Sequence, residues 1–203
     1  MELSYLQLDA LREVGNIGAG NAATALSQIL NKKITMNVPR VFFLPFSQVP
    51  DVVGGAENIV AGVYLKVSGD VSGSLLFLLP EESALALVSM LVGGDKKSRL
   101  GLSELDKSAL MEIGNILSGA FLNALGNFSN LIFLPSIPGL ALDMAGAVLS
   151  TVLIETGEKS DQALVIETDF VDEDTSIKGH IFLLPDPVSL KVLLKAIGEN
   201  VDG

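Results

Sequence analysis

At 203 residues, with 49 % hydrophobic and 18 % charged residues, the chain can bury a sizeable core and is too apolar for intrinsic disorder. Its 13 Lys and Arg against 24 Asp and Glu leave a formal charge of −11, which excludes nucleic acid as a partner and argues against unaided capture of a free phosphorylated metabolite. The lack of cysteine removes disulfides and thiolate metal sites and fits the cytoplasm.

The N-terminus carries acids and an early amphipathic period, so it does not read as a signal peptide. A first helix starts at Ser4, whose spacing to Gln7 is that of a capping box. Leu3, Leu6, Ala10, Val14, Ile17 and Ala25 mark its expected apolar stripe. Strands are expected over residues 34–46, 59–67 and 74–79, then a helix over 81–92 ending at Gly93. The order then recurs. Ser103-x-x-Asp106 opens a helix with Leu105, Ala109, Ile113, Ile116, Ala120 and Ala124 as its stripe. Strands follow over 131–137, 140–154, 162–170 and 179–184, and a helix over 187–197 ends at Gly198. Pro138, Gly139, Asp143 and Gly146 break the longest apolar run, 137–154, so buried strands are expected there and no membrane insertion.

Set against itself at an offset of 99, the chain aligns Ser4 with Ser103, Glu13 with Glu112, Gly15-Asn16-Ile17 with Gly114-Asn115-Ile116, and Pro39 with Pro138. After a short insertion in the second half, Phe77-Leu78-Leu79-Pro80 aligns with Phe182-Leu183-Leu184-Pro185. One domain over 1–203, made of two repeats at about 1–98 and 99–203, is the economical reading. The expected fold class is α/β: internally duplicated helix–antiparallel strands–helix halves forming a pseudo-twofold α/β sandwich.

On a helix, Asp9, Glu13 and Asn16 stack on one face, opposite Val14 and Ile17, and Ser108, Glu112 and Asn115 do the same in the second half. Twenty-two residues separate each Asn from a proline, Pro39 or Pro138. A solvated helix face carries such pairs by chance, and a duplicated gene copies inert residues too. Asn is nevertheless a poor interior helix residue, and each neighbouring glycine costs up to about 1 kcal/mol relative to Ala, so the face is expected to admit a close approach. Asn cannot serve as a general base, but its carboxamide can hold a water, and phosphoryl transfer asks mainly for a positioned nucleophile. No protein-bound metal is expected. Gly15-x-x-Gly18-x-Gly20 lacks the strand and lysine of a phosphate loop, His180 reads as structural, and the acid run 169–174 reads as a solvated loop.

The segment REVGNIGAGNAATALSQILNKK, the doubled pattern [Asp/Ser]-x₃-Glu-x₂-Asn-x₂₂-Pro and the stretch DMAGAVLS resemble the CheC family of bacterial chemotaxis phosphatases, related to CheX and to the N-terminal part of FliY. The resemblance implies two active sites, Glu13 with Asn16 and Glu112 with Asn115. In it the Asn positions water at the aspartyl phosphate of a CheY-type response regulator and the Glu meets the regulator's Lys. Asp9 and Ser108 would support the sites, and Pro39 and Pro138 would shape the fold. Mg²⁺ would be bound by the regulator. The deamidase CheD would be a second partner, with Asp143 in its contact. The rival reading is a non-catalytic module that sequesters the phosphorylated regulator or regulates CheD; a structural part of the flagellar switch is less expected, since no switch domain follows residue 203.

Overall fold

The computed structural model describes residues 4–30, 32–94, 102–156, 162–171 and 176–202. Helix α1 (Tyr5–Leu30) opens on the expected capping box: Ser4 N–H donates to Gln7 Oε1 (2.9 Å) and Gln7 N–H to Ser4 Oγ (3.2 Å). Strands β1 (Thr35–Asn37) and β2 (Val41–Pro45), a 3₁₀ turn at Phe46–Gln48 and the short α2 (Val49–Val52) follow. The hairpin of β3 (Ile59–Gly69) and β4 (Gly73–Pro80) then leads into α3 (Glu81–Val92). Helix α4 (Glu104–Ser129) is capped reciprocally by Ser103 and Asp106. After it come β5 (Phe133–Pro135), β6 (Gly139–Met144), α5 (Ala145–Thr156), β7 (Gln162–Val171), β8 (Ser176–Pro185) and α6 (Pro187–Asp202). The order helix, two short strands, helix, long hairpin, helix thus occurs twice.

All eight strands join one antiparallel sheet in the order β1-β7-β8-β4-β3-β5, with β2 also on β7 and β6 also on β3. The short strands cross between halves: β1 and β2 pair with the second half's β7, and β5 and β6 with the first half's β3. Each half therefore takes two short strands from the other along its own edge. At the centre, β4 meets β8 through Leu76–Phe182 and Phe77–Ile181, two pairs that exchange under the alignment of Phe77-Leu78-Leu79-Pro80 with Phe182-Leu183-Leu184-Pro185.

Both faces of this central sheet are covered, which is why its strands read as unbroken apolar runs. Leu75, Phe77, Leu79, Ile166, Ile181 and Leu183 join the core under α1, α4, α3 and α6, whereas Leu76, Leu78, Val165, Phe182 and Leu184 pack with α5 and α2. Helices α1 and α4 cross so closely that a Cβ at Gly18 would lie 3.0 Å from the Phe121 Cα. Helix α4 is long and apolar enough to cross a membrane by length and composition, but half of its most apolar stretch is buried within the fold, which accounts for that composition.

Five sequence expectations need correction. The buried stripe of α1 is Leu11, Val14, Gly15, Gly18, Ala22 and Leu26, whereas Leu6 and Ile17 are exposed. In α4 it is Leu110, Ile113, Gly114, Leu117, Phe121 and Leu125, with Leu105 exposed. Large side chains suggested the stripe, but glycine and alanine make the closest helix contacts. Residues 140–154 are not one strand: β6 ends at Met144, and α5 buries Ala145, Val148, Leu149 and Val152 at helical spacing. Gly198 does not end the last helix, which runs to Asp202, although Gly93 does cap α3 at φ 82°. The 34–46 strand is two short strands with an interruption at 38–40, and Phe46 enters the 3₁₀ turn. In the acid run, Asp169 belongs to β7, while Asp172, Glu173 and Asp174 lie outside the described residues.

Candidate active site

The buried stripe of α1 fixes what its other side presents. Glu13 and Ile17 are exposed one turn apart, and Asn16 sits half-buried at the border between that face and the core. The connection between β1 and β2 runs beside it. Asn37 pairs with Asp169 and Val41 with Ile166, so residues 38–40 oppose only Thr168 and Glu167 on β7. One extra residue makes a bulge, which turns backbone groups away from the ladder. The freed Val38 N–H donates to Asn16 Oδ1 at 3.0 Å. This contact orients the carboxamide and leaves its two N–H donors and one acceptor lone pair for a ligand. Pro39, next in the chain, is exposed.

Arg40 anchors the far side of the bulge. Its Nε and Nη2 donate to Glu167 Oε2 and Oε1 at 2.8 and 2.6 Å, and the Glu167 N–H donates to the Arg40 carbonyl at 3.0 Å. The guanidinium also lies 5.6 Å from the Phe42 ring centroid. Hydrogen bonding to Arg40 holds the Glu167 carboxyl below the usual range, and the same contact raises Arg40. An open groove of about 320 Å³ runs along the N-terminal part of α1, lined by Tyr5, Leu8, Asp9 and Arg12 against Pro39, Arg40 and Phe42. Asp9 is engaged there by Arg12 at 2.8 Å.

The second half places Glu112 and Asn115 on the equivalent face of α4, both exposed, together with an exposed Ser108. Asn115 has no side-chain hydrogen bond among the described residues. Its bulge is again three residues, 136–138, against Leu65 and Lys66 of β3. Here Ser136 holds it: Lys66 N–H donates to Ser136 Oγ (2.9 Å), Ser136 N–H to the Lys66 carbonyl (2.8 Å), and Ser136 O–H to the Ile137 carbonyl (3.0 Å). Ile137 is 91 % exposed, and Pro138 is half-buried.

The glycines beside the Asn residues have an internal explanation. A Cβ on Gly15 would lie 3.2 Å from Val38 Cγ1, and one on Gly114 only 2.5 Å from Val63 Cγ1. The close approach expected of a partner is made by the chain's own sheet. Asp143 is exposed in β6, where it pairs with Val60, and accepts the Met144 N–H at 2.8 Å. Sequence reading missed Ile17 as a surface residue, and it missed Val38, Arg40, Glu167 and Ser136 altogether. The three-against-two strand register behind these contacts leaves no local signature. His180, cross-strand from Glu167, is pushed below its usual pKa by burial, against the opposing pull of Glu167 and Asp169. Among the described residues, no group of three His, Asp or Glu side chains converges to hold a metal.

Two family models match. The CheC-like family covers residues 6–43, which contain Asp9, Glu13, Asn16 and Pro39, and the chemotaxis phosphatase CheX covers residues 61–145, which contain Ser108, Glu112, Asn115, Pro138 and Asp143. The chain is 41 % identical over 199 residues to the CheY-P phosphatase CheC of Bacillus subtilis, spanning 96 % of this chain and 95 % of the relative. Its fold matches the crystal structure of Thermotoga maritima FliY with a TM-score of 0.78 at 20 % identity, over 98 % of this chain and all of the other. The CheX–CheY–BeF₃–Mg²⁺ complex of Borrelia burgdorferi matches at a TM-score of 0.50 and 18 % identity, over 83 % of this chain and 95 % of that one. At 41 % identity over nearly the whole length of both chains, this chain belongs to the CheC family.

Proposed function

We propose that the chain removes the phosphoryl group from a phosphorylated CheY-type response regulator at two sites, Glu13 with Asn16 and Glu112 with Asn115. The observation that carries this reading is the repeated presentation of a carboxylate and a carboxamide on the accessible face of α1 and α4, with the first carboxamide already held by a backbone donor. Kinship supports the substrate: the B. subtilis relative bears the name of a CheY-P phosphatase, and the Borrelia complex joins a CheX to a CheY.

In this mechanism Asn16 and Asn115 hold a water in line with the phosphorus of an aspartyl phosphate. Positioning dominates such a transfer, and a neutral amide does not repel the phosphoryl oxygens. Glu13 and Glu112, one turn away, pair with a lysine of the regulator and set the docking register, which suits a chain of net charge −11. Mg²⁺ arrives with the substrate protein. Asp9 and Ser108 support the two faces, and Pro39 and Pro138 shape the bulges. CheD is the second partner in this reading, contacting exposed Asp143 and the start of α5, and charge reversal at Asp143 should weaken that binding. A cytoplasmic location accompanies such partners.

The test is loss of acyl phosphate from a phosphorylated CheY-type regulator with catalytic amounts of protein. Asn16→Ala and Asn115→Ala should each remove part of the acceleration, and the double variant all of it. A wild-type chain that binds the regulator without hastening decay would instead be a sequestering module.

A further inference from the structure

The two bulges are pinned by different chemistry, and only one of them reaches its Asn. In the first half, residues 38–40 are fixed at both ends: Val38 N–H bonds Asn16 Oδ1, and Arg40 is gripped by Glu167 through two side-chain hydrogen bonds and one backbone hydrogen bond. One residue, Pro39, joins the two anchors, and its ring leaves little freedom between them. A bidentate guanidinium–carboxylate contact is among the more directional polar contacts, because both partners are planar forks. In the second half the Arg40 position aligns with Gly139, and Ser136 pins the bulge with neutral contacts to Lys66.

We propose that Arg40 and Glu167 are positioning residues of the first site. By fixing the 38–40 bulge to β7 they hold the Val38 N–H against Asn16 Oδ1, and so set the orientation of the Asn16 carboxamide toward its water. Neither residue touches the reacting atoms. The site is thereby completed across the two halves: Asn16 and Arg40 come from the first, Glu167 from the second. This assignment rests on the phosphatase reading for its consequence, though not for its geometry.

The experiment uses the full-length chain in two backgrounds, Asn115→Ala, which leaves the first site, and Asn16→Ala, which leaves the second. Arg40→Ala, Arg40→Lys and Glu167→Gln are added to each, and kcat and KM are measured for hydrolysis of the phosphorylated regulator. Expected in the Asn115→Ala background is a fall in kcat of about tenfold for Arg40→Ala, with KM within about twofold, because misplacement degrades a positioned nucleophile. Arg40→Lys should restore only part of the rate, since an ammonium cannot make the forked contact. The Asn16→Ala background should be unaffected. An unchanged kcat in the first background, or equal losses in both, would overturn the proposal. Hydrogen exchange supplies a readout independent of turnover: Arg40→Ala should speed exchange of the Val38 amide about tenfold while leaving the Ser136 amide as it was, since loss of local anchoring lowers the opening free energy. If the wild-type chain does not hydrolyse the acyl phosphate, the phosphatase reading falls, and the Val38 amide alone decides: accelerated exchange supports the anchor, and unchanged exchange refutes it.

Discussion

The first and second halves present nearly the same helix face but hold it differently. Leu11, Val14, Gly15, Gly18, Ala22 and Leu26 are buried at the same register as Leu110, Ile113, Gly114, Leu117, Phe121 and Leu125, so both helices turn the same side outward. The difference lies in the strand connection beside each Asn. Asn16 is half-buried and tethered to Val38, and its neighbourhood carries Arg12 and Arg40. Asn115 is exposed and has no side-chain hydrogen bond among the described residues, with Met111 and Gly139 at the positions matching Arg12 and Arg40 and Ile137 at that of Val38. Equal motifs therefore do not make equal surroundings: the motif places the candidate groups, and contacts from distant strands decide how firmly they are held.

The largest effect expected on this comparison is the loss of both carboxamides. Asn16→Ala with Asn115→Ala should reduce turnover by about 10²–10³, the range seen when one preorganised donor is removed from a reacting centre. Appreciable turnover by that double variant would mean that chemistry lies elsewhere. Next comes packing. Gly114→Ala forces a methyl group against Val63 and should cost about 1–3 kcal/mol in denaturant unfolding. Gly15→Ala meets Val38 at the looser 3.2 Å and should cost less, while lowering first-site kcat because Val38 must shift. Similar stability losses for the two would erase the distinction drawn between these packing contacts.

A smaller effect tests the second bulge. Ser136→Ala removes the acceptor for the Lys66 N–H and should destabilise the chain by about 1 kcal/mol, leaving hydrolysis by an Asn115→Ala variant unchanged. The smallest concerns pH. His180 titrates below its ordinary 6.5 in the folded chain, so on acidification the unfolded chain takes up its proton first. Its contribution to stability is full above 6.5 and is lost as pH falls through the lowered folded value. His180→Phe should accordingly shrink the drop in Tm between about pH 7.5 and 5.5. Arg40–Glu167 should not contribute to that drop, because a depressed carboxylate stays ionised until more acidic pH.

Much of the candidate site could be read in the chain. Glu13, Asn16, Glu112 and Asn115 recur at one spacing, and the capping boxes start both helices where expected. The Val14–Ile17 face was misjudged because stripe reading weights large residues, whereas Gly15, Gly18 and Ala22 mark the real contact. Helix α5 escaped notice because its Val, Leu and Ile content favours a strand by propensity, and only covering by the sheet reveals the 145, 148, 149, 152 stripe.

What the sequence by itself determined is local and periodic: two helices with matched caps, a doubled Glu-x-x-Asn, and apolar runs long enough for a buried sheet. Those features depend on spacings of a few residues, which a linear reading can measure. The tertiary structure alone decided that β1 and β2 lie on β7 and that β5 and β6 lie on β3. That exchange brings Arg40 to Glu167 across 127 residues of chain and aims the Val38 N–H at Asn16. Strand pairing is chosen by burial on both faces of a shared sheet, a property of the whole fold that no short window of sequence contains.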